Sequence, residues 1–144
     1  MTKKTHLVIG TLVSIPFIAS TSPIMGLLSM VGICGSIAPD LDCKLGMTFH
    51  RTFTHSLIFL LFTTMIINIF SKEIALIWFV SYTSHLVLDS MTRSGIPLLM
   101  PIKNKRYGLR LFMTGGIFDK ILEYVGWILL VICVIDMALR LFWI

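Results

Sequence analysis

Five apolar blocks dominate the chain, covering residues 7–20, 24–38, 56–70, 74–88 and 121–144. Ser20-Thr21-Ser22-Pro23 separates the first from the second, and Pro23, having no N–H, suits the first turn of a new helix. Ser71-Lys72-Glu73 separates the third from the fourth. Each of the first four blocks has about 15 residues, or about 22 Å of helix at about 1.5 Å per residue. A hydrocarbon core is about 30 Å thick, so each helix spans only by drawing its polar flanks to headgroup depth. The pattern predicts an all-α integral membrane protein, an up-down bundle of about five helices forming one domain over residues 1–144.

Composition agrees with the blocks. Of the 144 residues, 56% are hydrophobic and 13% charged, and the mean hydropathy is +0.93. Soluble domains carry about 25% charged residues, so a soluble fold and a disordered chain are both excluded. The first block, with Lys3 and Lys4 before it, has the outline of a signal peptide. The next apolar run begins at once, however, which favours an uncleaved first helix. Cys34, Cys43 and Cys133 form no CxxC pair, and Cys34 and Cys133 read as small hydrophobes inside apolar runs.

The net charge of +5 is mostly topology. If the blocks alternate across a membrane, one side receives Lys3, Lys4, Lys44, Arg51, Arg93, Lys103, Lys105, Arg106, Arg110 and Lys120, and the other only Lys72 and Arg140. That asymmetry places the N-terminus in the cytoplasm and the C-terminus outside. It leaves no call for a nucleic-acid partner, although the 103–110 cluster suits anionic lipid.

The same topology gathers the chemistry. His6 opens the first helix, Asp40 and Asp42 close the second, His50 and His55 open the third, His85 and Asp89 close the fourth, and Glu123 opens the fifth. All these ends face the cytoplasm in an up-down bundle. His85 and Asp89, at i and i+4, share a helix face that Ser81 and Thr92 extend as a polar stripe. Ionisable groups facing lipid are costly, so this stripe should point inward. Asp40 and Asp42 follow Pro39 in an expected non-helical loop. His50 and His55 cannot share one helix face. Imidazole with carboxylate suits zinc, and with more carboxylate manganese or iron. Seven or eight candidate ligands exceed the roughly three or four that one catalytic zinc takes, favouring two ions over one. Arg51 and Arg93 flank the group and could hold a phosphate. Gly32, Gly35 and Ser36 read as helix-packing positions, Asp119 as a cap of the last helix, and Asp136 with Arg140 as an i,i+4 pair.

Thr5-His6, Ala38-Pro39-Asp40-Leu41-Asp42, His50-Arg51-Thr52-Phe53-Thr54-His55-Ser56, Ser84-His85-Leu86-Val87-Leu88-Asp89 and the stretch from Thr92 to Pro101 occur in one order. In this the chain resembles the YdjM-type family of bacterial membrane-bound, metal-dependent hydrolases, from His6 through Glu123. Thr52 and Met100 depart from the glycine and tryptophan common in the family. The resemblance implies a small helical inner-membrane protein. It also implies that His6, Asp40, Asp42, His50, His55, His85 and Asp89 occupy the family's metal-site positions.

The expected function is a metal-dependent hydrolase at the cytoplasmic membrane face. An ion, zinc favoured, lowers the pKa of water toward neutrality. Asp42 or Glu123 serves as general base, and Arg51 and Arg93 neutralise developing charge. The substrate is a membrane lipid or lipid-linked molecule, a phosphoester ahead of an amide or acyl bond. The alternatives are a metal-ion or proton transporter and a non-catalytic membrane adaptor with a structural metal. A transporter needs polar residues across the bilayer, whereas here the outer halves of the first four helices are largely apolar. The 95–114 segment, with Pro97 and Pro101, is too short to span and is expected to border the substrate entrance.

Overall fold

The computed structural model describes residues 1–20, 25–45 and 53–142. It contains five α-helices: α1 (Lys3–Ser20), α2 (Met25–Ile37), α3 (Leu57–Phe70), α4 (Lys72–Ser90) and α5 (Ile117–Phe142). No strand occurs among the described residues. The expected loop after α2 is instead a 3-10 helix, Ala38–Leu45, and a second short 3-10 turn, Phe53–His55, leads into α3. Pro39 accounts for the first departure, because its fixed φ suits the opening turn of a helix and its missing N–H is not needed there.

Helix α4 is the axis of the fold, packing against α1, α2 and α3, while α5 lies chiefly along α1. Small residues set how closely the first, second and fourth helices approach. A Cβ added at Gly10 would fall 2.2 Å from the Ser36 Cβ, and one at Gly32 would fall 2.8 Å from the Ser14 hydroxyl. At Gly35 it would stand 3.2 Å from the Ser81 Cβ. Ser81 itself donates to the Gly32 carbonyl, so the polar stripe on α4 does face the interior. Two apolar clusters fill the remaining space. Leu60, Tyr82, Leu86 and Ile96 form one, and Ile18, Leu28 and Ile77 the other.

The α3–α4 connection is a single residue. Ser71 ends α3 by donating its N–H to the Ile67 carbonyl, and begins α4 by accepting from Ile74 N–H on its hydroxyl at 3.3 Å. At the other end of the pair, residues 91–116 fold back in turns. Main-chain bonds of 2.9 Å and 2.8 Å join Ile96 and Tyr107 in both directions. Leu109 N–H reaches Ser90 O at 2.8 Å, and Leu57 N–H reaches Leu98 O at 2.9 Å. Ile96 is thereby buried in the core, whereas Lys103, Lys105, Arg106 and Arg110 are exposed.

Among the described residues one helix, α5, is long and apolar enough to cross a membrane, over Ile117–Arg140. Most of its surface is exposed, as on a helix whose neighbour is solvent or lipid. The apolar stretches Leu28–Leu41 and Leu57–Phe70 are shorter. Asp136 and Arg140 form the expected exposed pair at 2.9 Å. Cys34 is exposed on α2 rather than packed, because the face of α2 that meets α1 and α4 is built from Gly32, Gly35 and Ser36.

Candidate metal centre

Four segments of chain deliver five ionisable side chains to one buried place. His6 comes from the start of α1, Asp40 from the 3-10 helix, His55 from the turn before α3, and His85 and Asp89 from the last turns of α4. All five are buried. His6 and His85 are stacked, with ring centroids 3.6 Å apart, and His55 meets His85 edge-on at 5.3 Å.

Each imidazole has one nitrogen engaged by an acceptor. His85 Nδ1 lies 2.7 Å from the Ser36 carbonyl, which can only accept, so this nitrogen carries the proton and Nε2 presents its lone pair. Thr54 gives its hydroxyl proton to the Pro39 carbonyl at 3.0 Å and accepts from His55 Nδ1 at 3.2 Å. His6 Nε2 donates to Asp89 Oδ1 at 3.1 Å. The N-terminal ammonium of Met1 also pairs with that oxygen. The Tyr82 hydroxyl donates to the Thr54 carbonyl and so fastens the His55 turn to α4.

The opposite nitrogens converge. His55 Nε2 stands 3.7 Å from Asp40 Oδ1 and 3.6 Å from Asp89 Oδ2, and His85 Nε2 stands 3.7 Å and 3.9 Å from the same two atoms. These separations are too long for hydrogen bonds. They are near the roughly 3.4 Å that separates two donors bound tetrahedrally to one zinc at ~2.1 Å. His6 Nδ1 and His85 Nε2 are buried without a hydrogen bond, a state a polar atom keeps at a cost of about 1–3 kcal/mol unless something binds it. The donor set therefore fits a divalent metal. His6, Asp40 and His85 form one compact trio, and His55, His85 and Asp89 another. The trios share His85, whose other nitrogen is committed to Ser36, so these described residues make one group rather than two separate ones.

Burial pushes the Asp40 carboxyl up, but the neighbouring His55, His85 and His6 rings outweigh it, holding the group at about 2. Asp40 is thus a carboxylate across the physiological range.

Of the residues expected at the site, His6, Asp40, His55, His85 and Asp89 are brought together. His50 and Arg51 lie outside the described residues, as does the side chain of Asp42, whose backbone is in the 3-10 helix. Glu123 belongs elsewhere: its Oε2 accepts from the Thr2 hydroxyl at 3.5 Å, at the α1–α5 junction. Arg93 is exposed in the turn after α4 and takes no part in the buried group's hydrogen bonds or ion pairs among the described residues. Asp119 does more than cap α5. It accepts from Gly115 N–H at 2.7 Å, from Thr2 N–H at 2.9 Å and from the Thr5 hydroxyl, clasping the start of α1 next to His6. Sequence reasoning missed Thr54 and the Ser36 carbonyl. Adjacency to His55 was the available signal for Thr54; a main-chain carbonyl gives none.

A family model described as YdjM inner membrane protein matches residues 1–143, essentially the whole chain. The chain is also similar to the uncharacterized protein YvsG of Bacillus subtilis (strain 168), at 32% identity over 88% of this chain and 89% of that relative. No solved structure matches it.

Proposed function

Because the chain belongs to the YdjM inner membrane protein family, we propose that it is a membrane-embedded, metal-dependent hydrolase acting on a lipid or lipid-linked phosphoester. In this reading the five helices cross the bacterial inner membrane in up-down order, with the N-terminus cytoplasmic and the C-terminus outside. The centre then sits at the cytoplasmic end, at headgroup depth.

The observation that carries the proposal is the set of three imidazoles each held on one nitrogen, with those of His55 and His85 aiming the other at two buried carboxylates. Oriented imidazole with an outer hydrogen-bond partner is the arrangement metal ligands take, since the partner fixes tautomer and ring direction. Asp40 Oδ1, Asp89 Oδ2 and the Nε2 atoms of His55 and His85 would hold one ion, zinc favoured, with manganese and iron compatible. Such an ion supplies Lewis acidity and activates water near neutral pH. His6 would act as a proton acceptor, because Asp89 holds its Nε2–H and leaves the Nδ1 lone pair beside the group. Burial of the five side chains keeps competing water out and strengthens their electrostatic effect on developing charge.

Elemental analysis of detergent-purified protein tests this directly, with wild type beside His85→Ala and Asp89→Ala. Stoichiometric metal in the wild type, lost in both variants and accompanied by phosphate release from a phospholipid or isoprenoid phosphate, is the expected result. Wild-type protein purified without chelator that binds none of zinc, manganese or iron when offered each would overturn the reading.

A further inference from the structure

A cavity of about 310 Å³ opens beside the centre, lined by Lys3, Lys4 and Leu7 of α1 and by Ile37, Asp40 and Leu41. Asp40 therefore belongs both to the cavity wall and to the buried group. Membrane topology explains why residues near the N-terminus are basic, but it does not require two lysines to wall a cavity that ends on a carboxylate of the centre. The lining has a clear polarity. Two lysines stand with three aliphatic residues, and the one acidic residue among them, Asp40, has its Oδ1 3.7 Å from the Nε2 atoms of His55 and His85. A volume at the lower end of the usual small-molecule range of about 300–1,000 Å³ holds a headgroup and a few carbons, not a whole lipid.

We propose that this cavity is the binding site for the anionic head of an alkyl phosphate, with Lys3 and Lys4 holding the phosphate and Leu7, Ile37 and Leu41 taking the first carbons of the chain. Lysine suits this task as a compact, mobile charge that follows a phosphate without a fixed fork. The assignment rests on the hydrolase reading for its meaning, because it places the phosphate within reach of Asp40 and its imidazole partners. It also defines selectivity. An uncharged alcohol finds the aliphatic wall and nothing to hold its head, and a cationic head meets two like charges.

Hexyl phosphate and hexanol, both small enough to stay out of micelles at low concentration, serve as probes. Each is titrated by calorimetry into protein in an uncharged detergent, before and after treatment with chelator. Hexyl phosphate should bind at least about tenfold more tightly than hexanol. Lys3→Gln with Lys4→Gln should abolish that preference, whereas Lys3→Arg with Lys4→Arg keeps it. Leu41→Glu, which sets a negative charge in the same wall, should weaken hexyl phosphate without weakening hexanol equally. Metal content should be the same in all these variants, which keeps the result separate from the integrity of the centre. Equal affinity for the two probes in the wild type overturns the assignment. So does binding of hexyl phosphate that chelator removes and the glutamine substitutions leave unchanged. If lysine-dependent binding is found but no lipid phosphoester is cleaved, the hydrolase reading falls and the cavity assignment stands.

Discussion

At the residue scale, the chemistry depends on what holds each imidazole from behind. Thr54 is the clearest case, because its hydroxyl links the Pro39 carbonyl on one side to His55 Nδ1 on the other. Thr54→Val keeps the shape and removes both bonds. Loss of such an outer partner costs metal sites about 10–100-fold in affinity, and a competitive zinc titration should find a fall of that order. His55→Ala should lower affinity further, since it removes a donor atom itself. Glu123 provides the contrast. It reaches Thr2 rather than the buried group, so Glu123→Gln should retain wild-type metal stoichiometry in elemental analysis, whereas Asp89→Asn should not. The donors were legible in the sequence because histidine and aspartate in apolar surroundings are conspicuous and the up-down order gathers them at one end. The backing atoms were not. Ser36 acts through its main chain, and every residue has a carbonyl. Lys3 and Lys4 were legible only as topology signals, because nothing in their positions announces the cavity they line.

At the scale of elements, helix approach is set by side chains that are absent. Gly10 faces Ser36 across α1 and α2 so closely that even a methyl group has no room. Alanine normally stabilises a helix by up to about 1 kcal/mol relative to glycine, but overpacking costs about 1–3 kcal/mol. Gly10→Ala should therefore lower the unfolding temperature in detergent. It should also loosen the His85 Nδ1 bond, because Ser36 supplies both the obstructing Cβ and the accepting carbonyl. Adding Ser36→Gly to Gly10→Ala should recover part of the lost stability. Helix positions were legible because apolar block length and the Ser71 break dictate them. The 3-10 form of Ala38–Leu45 and the fold-back of residues 91–116 were not. The fold-back rests on main-chain bonds to distant segments, such as Leu57 to Leu98 and Leu109 to Ser90, which leave little trace in local composition.

At the scale of the whole molecule, α5 differs from the other helices. It is the longest, is largely exposed, and is clasped to α1 through Asp119 at one end. A helix built this way has its apolar faces available to lipid. In the proposed orientation, drawn from the ten-against-two distribution of basic residues, its far end lies outside the cell. An alkaline phosphatase fused after the C-terminus should be active, since that enzyme matures only on the outer side, and the same fusion at the N-terminus should be inactive; the reverse pattern would refute the orientation. Another whole-molecule consequence begins at Ser71, the far end of the α3–α4 pair from the buried His/Asp group. One serine fixes where α4 begins, and every later residue of that helix inherits its angular phase from that point. A single residue inserted between Ser71 and His85 would advance the rest of α4 by about 1.5 Å and turn it by about 100°, swinging His85 and Asp89 off the shared axis of His55 and Asp40. An insertion of seven, about two full turns, would nearly restore the phase but displace the pair along the bundle by about 10 Å. Length and phase cannot both be kept, so the spacing between a bare turn on one side of the bundle and a chemical centre on the other is fixed to the residue.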